Sequence, residues 1–418
     1  MTAATPVIDT HKPGQKRLGP KGLIVLIALL SAFVPLSTDL YLPALPTMGQ
    51  HFNSDVTQIN LTLTVFFVFY AFGTLVWGPL SDRYGRKPVL LAGLSIYVAA
   101  SALSAMAWTV PSLIAFRALQ AIGGSSAGAV ATAIVKDVYS GQRRMSVLAI
   151  VQSMVLISPA VAPILGAFLL QVTSWRGVFW VLAVIGVIAV GGTLLFEETI
   201  TERSTGRVLQ SLLRLGKVLQ NRSLTPLLVI FSIANLSGAA YIASSTFIYQ
   251  DGFHLSEQAY SLYFSLNALG MISGPMIYLR LYRRLNTETI LRGCYITILL
   301  AGVLVFFFGN TSPWIFALCI LPSSIAGSCS RAPSTNLMLE QQQGDTGSVS
   351  SVIGCTGLLM GSLGMTLISL PWNNMIIALG TMILITSTTT LVFFPLAMKN
   401  ARRPEEPGLQ LVESPEQG

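Results

Sequence analysis

The sequence predicts an all-α polytopic membrane protein: twelve transmembrane helices arranged as two pseudo-symmetric six-helix bundles. Three observations lead there. The 418 residues are 52% hydrophobic and only 10% charged, against about 25% charged in soluble domains. Apolar runs long enough to cross about 30 Å of hydrocarbon, roughly 20 residues each, recur along the chain. The two halves also echo one another at an offset of roughly 200 residues, as duplicated transporter bundles do.

Twelve spans are expected at approximately 22–45, 57–79, 88–108, 110–135, 146–171, 176–196, 224–249, 257–279, 288–308, 313–339, 347–370 and 374–397. The first, opening GLIVLIALLSAFVPL, is too long for a signal peptide and ends in no A-x-A-like site. It is read as a retained helix. Of the 25 Lys and Arg residues, all but Arg117, Arg176 and Arg331 fall on one face, the N-terminal tail (Lys12, Lys16, Arg17, Lys21) and the C-terminal tail (Lys399, Arg402, Arg403) included. The positive-inside rule makes that face, and both termini, cytoplasmic. The same bias accounts for the +8 net charge and argues against nucleic acid as a partner.

The expected divisions are a tail at 1–21, a bundle at 22–196, a linker at 197–223, a second bundle at 224–397 and a tail at 398–418. Within the linker, RVLQSLLRLGKVLQ gathers Leu209, Leu212, Leu213 and Leu219 near one helical face and Arg207, Arg214 and Lys217 elsewhere. A helix lying on the membrane surface fits that pattern, and so does a solvated linker. The halves align at LSTDLYLPA (from Leu36) with LSGAAYIAS (from Leu236), GPLSDRYGRK (from Gly78) with GPMIYLRLYR (from Gly274), TVPSL with TSPWI, and Ser174–Trp175 with Pro371–Trp372. This pairing sets Asp39 against Ala239, so the buried acid belongs to the first half alone.

GPLSDRYGRKPVL, between spans 2 and 3, resembles the loop signature of the major facilitator superfamily. Gly78 and Gly85 permit close approach and a tight turn. Asp82 can serve as a helix-end anion beside Arg83, Arg86 and Lys87. The resemblance implies that this loop latches the halves, with Asp137 at the end of span 4 in the same gate. LIAFRALQAIGG resembles the family's fourth-span pattern, placing Arg117, Gln120 and Gly123 in those roles. SPAVAPILGA resembles the fifth-span antiporter signature, with Ser158, Ala162 and Ala167 in place of glycines, Pro163 and Gly166 retained, and Pro159 beside them. DLYLPALP resembles the first span of the drug:proton antiporter branch associated with bicyclomycin and chloramphenicol resistance.

An ionised Asp at a helix centre costs about 2.5–3.5 kcal/mol even on insertion scales. Asp39, between Pro35 and Pro43, should therefore face a polar cavity or a cation. Arg117 is the candidate cation, there to tune Asp39 or to hold a polar network with Gln120. The competing reading of Asp39 is a structural cap where the helix breaks. Tyr41, Tyr70, Asn235, Tyr241 and Asn267 are candidates to line a broad aromatic cavity along with Gln120. Arg331 is expected near the cytoplasmic end of span 10, snorkelling to the interface, with a cavity role as the alternative; Glu340 is expected at the interface.

The implied activity is export of small amphipathic drugs in exchange for protons, by alternating access, from a bacterial inner membrane and as a monomer. The proton gradient is the energy source, and no metal or other cofactor is implied. The alternatives are a proton symporter importing a metabolite, a channel, and a polytopic membrane enzyme such as a lipid transferase. Against the last, His11, His51 and His254 are scattered, and Cys294, Cys319, Cys329 and Cys355 read as buried thiols.

Overall fold

The computed structural model describes residues 15–200, 215–216, 218–342 and 346–401. Among the described residues eleven helices are long and apolar enough to cross a membrane, and a twelfth span is a bent pair. Span 1 is Gly19–Ser31 with Phe33–Phe52, meeting at 42°. Spans 2 to 6 are Val56–Tyr84, Arg86–Ala105, Val110–Val138, Gly141–Val172 and Trp175–Leu195. Spans 7 to 12 are Leu224–Gly252, Glu257–Leu281, Thr287–Phe308, Pro313–Leu339, Gly347–Ile368 and Met375–Lys399. The residues expected to make a surface helix (Leu209, Leu212, Leu213, Arg207, Arg214 and Lys217) lie outside the described residues, and Leu219 is exposed in a turn.

The helix ends follow from local chemistry. Asp55 Oδ1 accepts from the Gln58 N–H at 2.8 Å to start span 2, and Asn286 does the same for Thr289 at span 9. Thr109 and Ser112 form a reciprocal capping box at span 4. Span 1 bends because Pro35 has no N–H to offer the Ser31 carbonyl four residues back. Beyond Asp39 the chain tightens into a 3₁₀ turn, Leu42–Ala44, with Pro43 inside it, before helix resumes at Leu45–Phe52.

The duplication is visible at one repeated close approach. A Cβ on Gly166 of span 5 would collide with the Leu40 carbonyl of span 1. A Cβ on Gly364 of span 11 would collide with the Leu236 carbonyl of span 7. Leu40 is thus the counterpart of Leu236, one helical turn from the pairing that sequence identity favours. Asp39 corresponds to Asn235 rather than to Ala239.

All the hydrogen bonds that join the halves among the described residues lie toward the face opposite the basic one. Asn60 Nδ2 donates to Ser369 Oγ at 2.8 Å and to the Ala243 carbonyl at 3.2 Å, and Thr57 Oγ1 donates to the Ser369 carbonyl at 2.5 Å. Gln250 Nε2 donates to the Pro43 carbonyl at 2.9 Å. Ser261 and Ser265 of span 8 donate to the carbonyls of Pro163 and Ala160 at 3.0 and 2.6 Å. Toward the basic face no such bond joins the halves among the described residues. Asn235 and Arg331 are exposed there. The bundle is sealed on one face and parted on the other.

Candidate functional site

Arg117 is fully buried, and its environment is built from three spans. Its Nη1 donates to the Ser37 carbonyl at 3.0 Å and to Gln120 Oε1 at 2.5 Å, and its Nε reaches the Thr62 carbonyl at 3.4 Å. The guanidinium lies 4.2 Å from the Phe66 ring centroid and 4.5 Å from that of Tyr41, within cation–π range. Gln120 Nε2 then donates to Ser101 Oγ at 2.7 Å. The described ion pairs include none between Arg117 and Asp39. Of the two roles expected for Arg117, the geometry matches the polar network with Gln120.

Asp39 is buried, 6% exposed. The Thr38 hydroxyl donates to its Oδ1 at 2.9 Å. No described backbone N–H donates to its carboxylate, so the cap reading has no bond behind it. Four residues on, the Pro43 carbonyl takes the bond from Gln250 of the second half, while the adjacent Leu40 carbonyl packs against Gly166 of span 5 within the first. Asp39 therefore sits where the two halves meet.

The loop between spans 2 and 3 forms a compact ionic cluster. Gly85 adopts φ +107°, a left-handed conformation that favours glycine. Arg86 is buried; its Nη1 meets Asp82 Oδ1 at 2.5 Å and Ser81 Oγ at 2.6 Å, and its Nε meets Asp137 Oδ2 at 2.9 Å. Lys87 Nζ donates to the Leu194 carbonyl at 2.7 Å, and Arg83 lies over the Tyr84 ring. The helix-end anion is not Asp82. Glu198 fills that place, accepting from the backbone N–H groups of Arg86 and Lys87, each at 3.0 Å, at the start of span 3. Gly78 opens on empty space and makes no close approach. The cluster ties spans 2, 3 and 4 and the segment after span 6 within the first half. Among the described residues it makes no bond to the second.

The fifth-span residues face the seam. Ser158, Pro163 and Gly166 are buried and Pro159 is half-buried. The small side chains let span 8 approach closely enough for its two serines to reach span 5 carbonyls.

Of the expected cavity residues, Tyr41 and Gln120 are engaged in the Arg117 network, with the Tyr41 hydroxyl 3.2 Å from Thr62 Oγ1. Tyr70 is buried against Phe66. Tyr241 stacks on Phe264 with centroids 6.0 Å apart. The Tyr241 hydroxyl and Asn267 Nδ2 are buried without a partner. Asn235 is exposed, its Nδ2 donating back to the Phe231 carbonyl at 3.2 Å.

Sequence reasoning missed Glu198 and the seam donors Asn60, Gln250, Ser261 and Ser265. Polar residues inside otherwise apolar spans (Asn60, Ser261, Ser265) were the available signal, and the structure buries them at 0 to 5% exposure. All four cysteines are buried free thiols, as expected. Among the described residues no group of three or more His, Cys, Asp or Glu side chains could hold a metal ion.

The comparisons with known proteins agree with this architecture. The Major Facilitator Superfamily profile matches residues 27–365. The chain is 32% identical over 364 residues to a chloramphenicol resistance protein of Pseudomonas aeruginosa, covering 84% of this chain and 85% of that one. It is 25% identical over 367 residues to a bicyclomycin resistance protein homolog of Haemophilus influenzae, covering 81% and 88%. Among solved structures, the crystal structure of a peptide transporter POT superposes with a TM-score of 0.73 at 14% identity, covering 92% of this chain and 96% of that one. The chain belongs to the major facilitator superfamily and is a multi-pass membrane transporter of small molecules rather than an enzyme.

Proposed function

We propose that the protein exports small amphipathic drugs in exchange for protons, and that Asp39 is the coupling group. One observation carries this reading. A single carboxylate lies buried at the break of span 1, on the seam between the halves, with a hydroxyl and no cation as its partner. Desolvation makes an ionised carboxylate there costly, so its charge has to follow the water and substrate that reach it. Rocking of one bundle against the other changes that access. With the seam closed as described, the site communicates with the basic face; with it open, Asp39 meets the opposite side. A proton taken from outside is released inside as substrate binds, and the inward gradient drives the substrate out. The names of the resistance-protein relatives support drugs as cargo.

The basic face is cytoplasmic in this reading, with both termini there and the protein acting as a monomer in a bacterial inner membrane. Arg117 holds the polar core beside the seam, and the Arg86 cluster keeps the first half rigid as it moves. Gly78, Asp82, Arg83, Gly85, Lys87 and Asp137 belong to that rigid gate. Ser158, Pro159, Pro163 and Gly166 form its sliding surface. Tyr70, Tyr241, Asn235 and Asn267 offer rings and free polar atoms to the cargo.

Inverted membrane vesicles with an acidified interior provide the test. Wild-type protein should accumulate chloramphenicol inside them, and Asp39→Asn should insert normally but accumulate none beyond equilibration. Uphill accumulation by the Asn variant would remove Asp39 from the coupling role. Substrate leaving such vesicles would make the protein an importer.

A further inference from the structure

Arg331 lies outside the site described so far. It stands eight residues before the end of span 10, Pro313–Leu339, about 12 Å along the axis at 1.5 Å per residue. That depth lies well inside the span and favours a cavity role over snorkelling to the interface, the two readings the sequence left open. The face it occupies follows from its neighbours. On one flank of span 10, Phe316 packs its ring 6.4 Å from Tyr241 of span 7. On the other, Leu321, Ile325 and Cys329 meet Gly270 and Gly274 of span 8. At about 100° per residue, Arg331 falls between these flanks, on one stripe with Ser324 and Thr335. One turn earlier Gly327 opens on empty space. Arg331 is exposed, so its stripe lines the parted side of the bundle.

No hydrogen bond or ion pair engages its guanidinium among the described residues. No described ion pair joins an acid to it. Asp137 is held by Arg86 and Thr199 at the very end of span 4, and Glu340 lies nine residues further along the same chain at the mouth. An unpaired arginine inside a span is costly, and such residues face water-filled pathways and mark substrate routes. Three ionisable groups lie deep in the spans, Asp39, Arg117 and Arg331. Arg117 is fully enclosed, its Nε and Nη1 donating to the protein and its Nη2 buried without a partner, which leaves Arg331 as the exposed cation free to meet cargo.

We propose that Arg331 is a substrate-recognition residue of the central cavity, selecting amphiphiles that carry an anionic group, a carboxylate or a sulfonate, over cationic ones. This rests on the transport reading above and narrows its substrate class. The guanidinium offers a planar fork of donors matched to such a group, while the aromatic rings of spans 7 and 8 receive the apolar body.

Two xanthene dyes on one ring system test this: fluorescein, negative at neutral pH, and rhodamine 123, positive. Binding of each to the full-length protein in nanodiscs is read by fluorescence anisotropy without any proton gradient. Wild-type protein should bind fluorescein more tightly than rhodamine 123. Arg331→Gln should weaken fluorescein at least ten-fold with rhodamine 123 binding and melting temperature unchanged, and Arg331→Lys should keep fluorescein within about three-fold of wild type. The proposal is overturned by wild-type protein that does not bind fluorescein, by a Gln variant that loses neither dye or both together, or by a Lys variant as weak as Gln. Because the readout is equilibrium binding, these outcomes are independent of whether Asp39 couples transport.

Discussion

The first half of the molecule is held by charge and the second by rings. In the first, Arg86 joins Asp82 and Asp137, Glu198 closes the start of span 3, and Arg117 organises carbonyls from spans 1 and 2 with Gln120. At corresponding places the second half has Tyr278 for Asp82, Tyr282 for Arg86 and Asn235 for Asp39. Its interior is a chain of aromatic contacts, Tyr241 with Phe264 and Phe316, and Tyr249 with Tyr260 and Tyr263. The same scaffold therefore supports a rigid, ion-locked bundle bearing the buried acid and a more apolar bundle bearing a free arginine. Coupling and cargo recognition can occupy different halves because the repeat supplies each with the same frame.

Substituting the two counterparts separates them most sharply. Arg86→Ala leaves Asp137 without its cation, with the Thr199 hydroxyl as its remaining partner; breaking a buried pair costs about 3–5 kcal/mol, and the half-exposed Asp82 (52%) puts this case toward the lower figure. Tyr282, exposed at 59%, corresponds in place but makes only a ring contact with Tyr278. Its replacement by Ala should stay within about 0.5 kcal/mol, as surface changes do. Thermal unfolding of the two purified variants reads both. Similar losses would abolish the contrast between the halves.

A smaller effect is expected where the halves touch. Asn60→Ala removes two of the three bonds from span 2 to the second half and leaves that of Thr57, a loss worth about 1–3 kcal/mol with the acceptors left buried. The closed seam should then open more often. A cysteine placed at Thr57 should react with a membrane-impermeant maleimide from the non-basic face faster in the Asn60→Ala background, by roughly ten-fold for each 1.4 kcal/mol. An unchanged rate would mean that the seam is held by packing alone.

The spans, the duplication and the loop after span 2 were legible because each is local: an apolar run, a repeated string, a spaced set of charges. What escaped was long-range. Glu198 meets Arg86 across 112 residues of sequence separation, and nothing in its own surroundings marks it as the anion that closes a helix. Of the two roles left open for Arg117, pairing with Asp39 is not among the described ion pairs; its Nε and Nη1 donate to the Ser37 and Thr62 carbonyls and to Gln120, and its Nη2 has no partner. The repeat slipped by one turn because span 1 bends near Ala32 and tightens at Leu42–Ala44, whereas span 7 runs as regular helix to Phe247. Identity of short strings follows residue order, and the close approaches at Gly166 and Gly364 follow space. The end of span 10 at residue 339 was legible in the sequence, but whether the Arg331 side chain turns to the interface or to the cavity was not, because that depends on which helix faces its neighbours cover.

The account turns on whether binding of cargo discharges Asp39. Purified protein in weakly buffered detergent solution, mixed with chloramphenicol in the presence of a pH-sensitive dye, should release close to one proton per molecule bound. The Asp39→Asn variant should bind the drug and release none. Equal release by wild type and variant would contradict it.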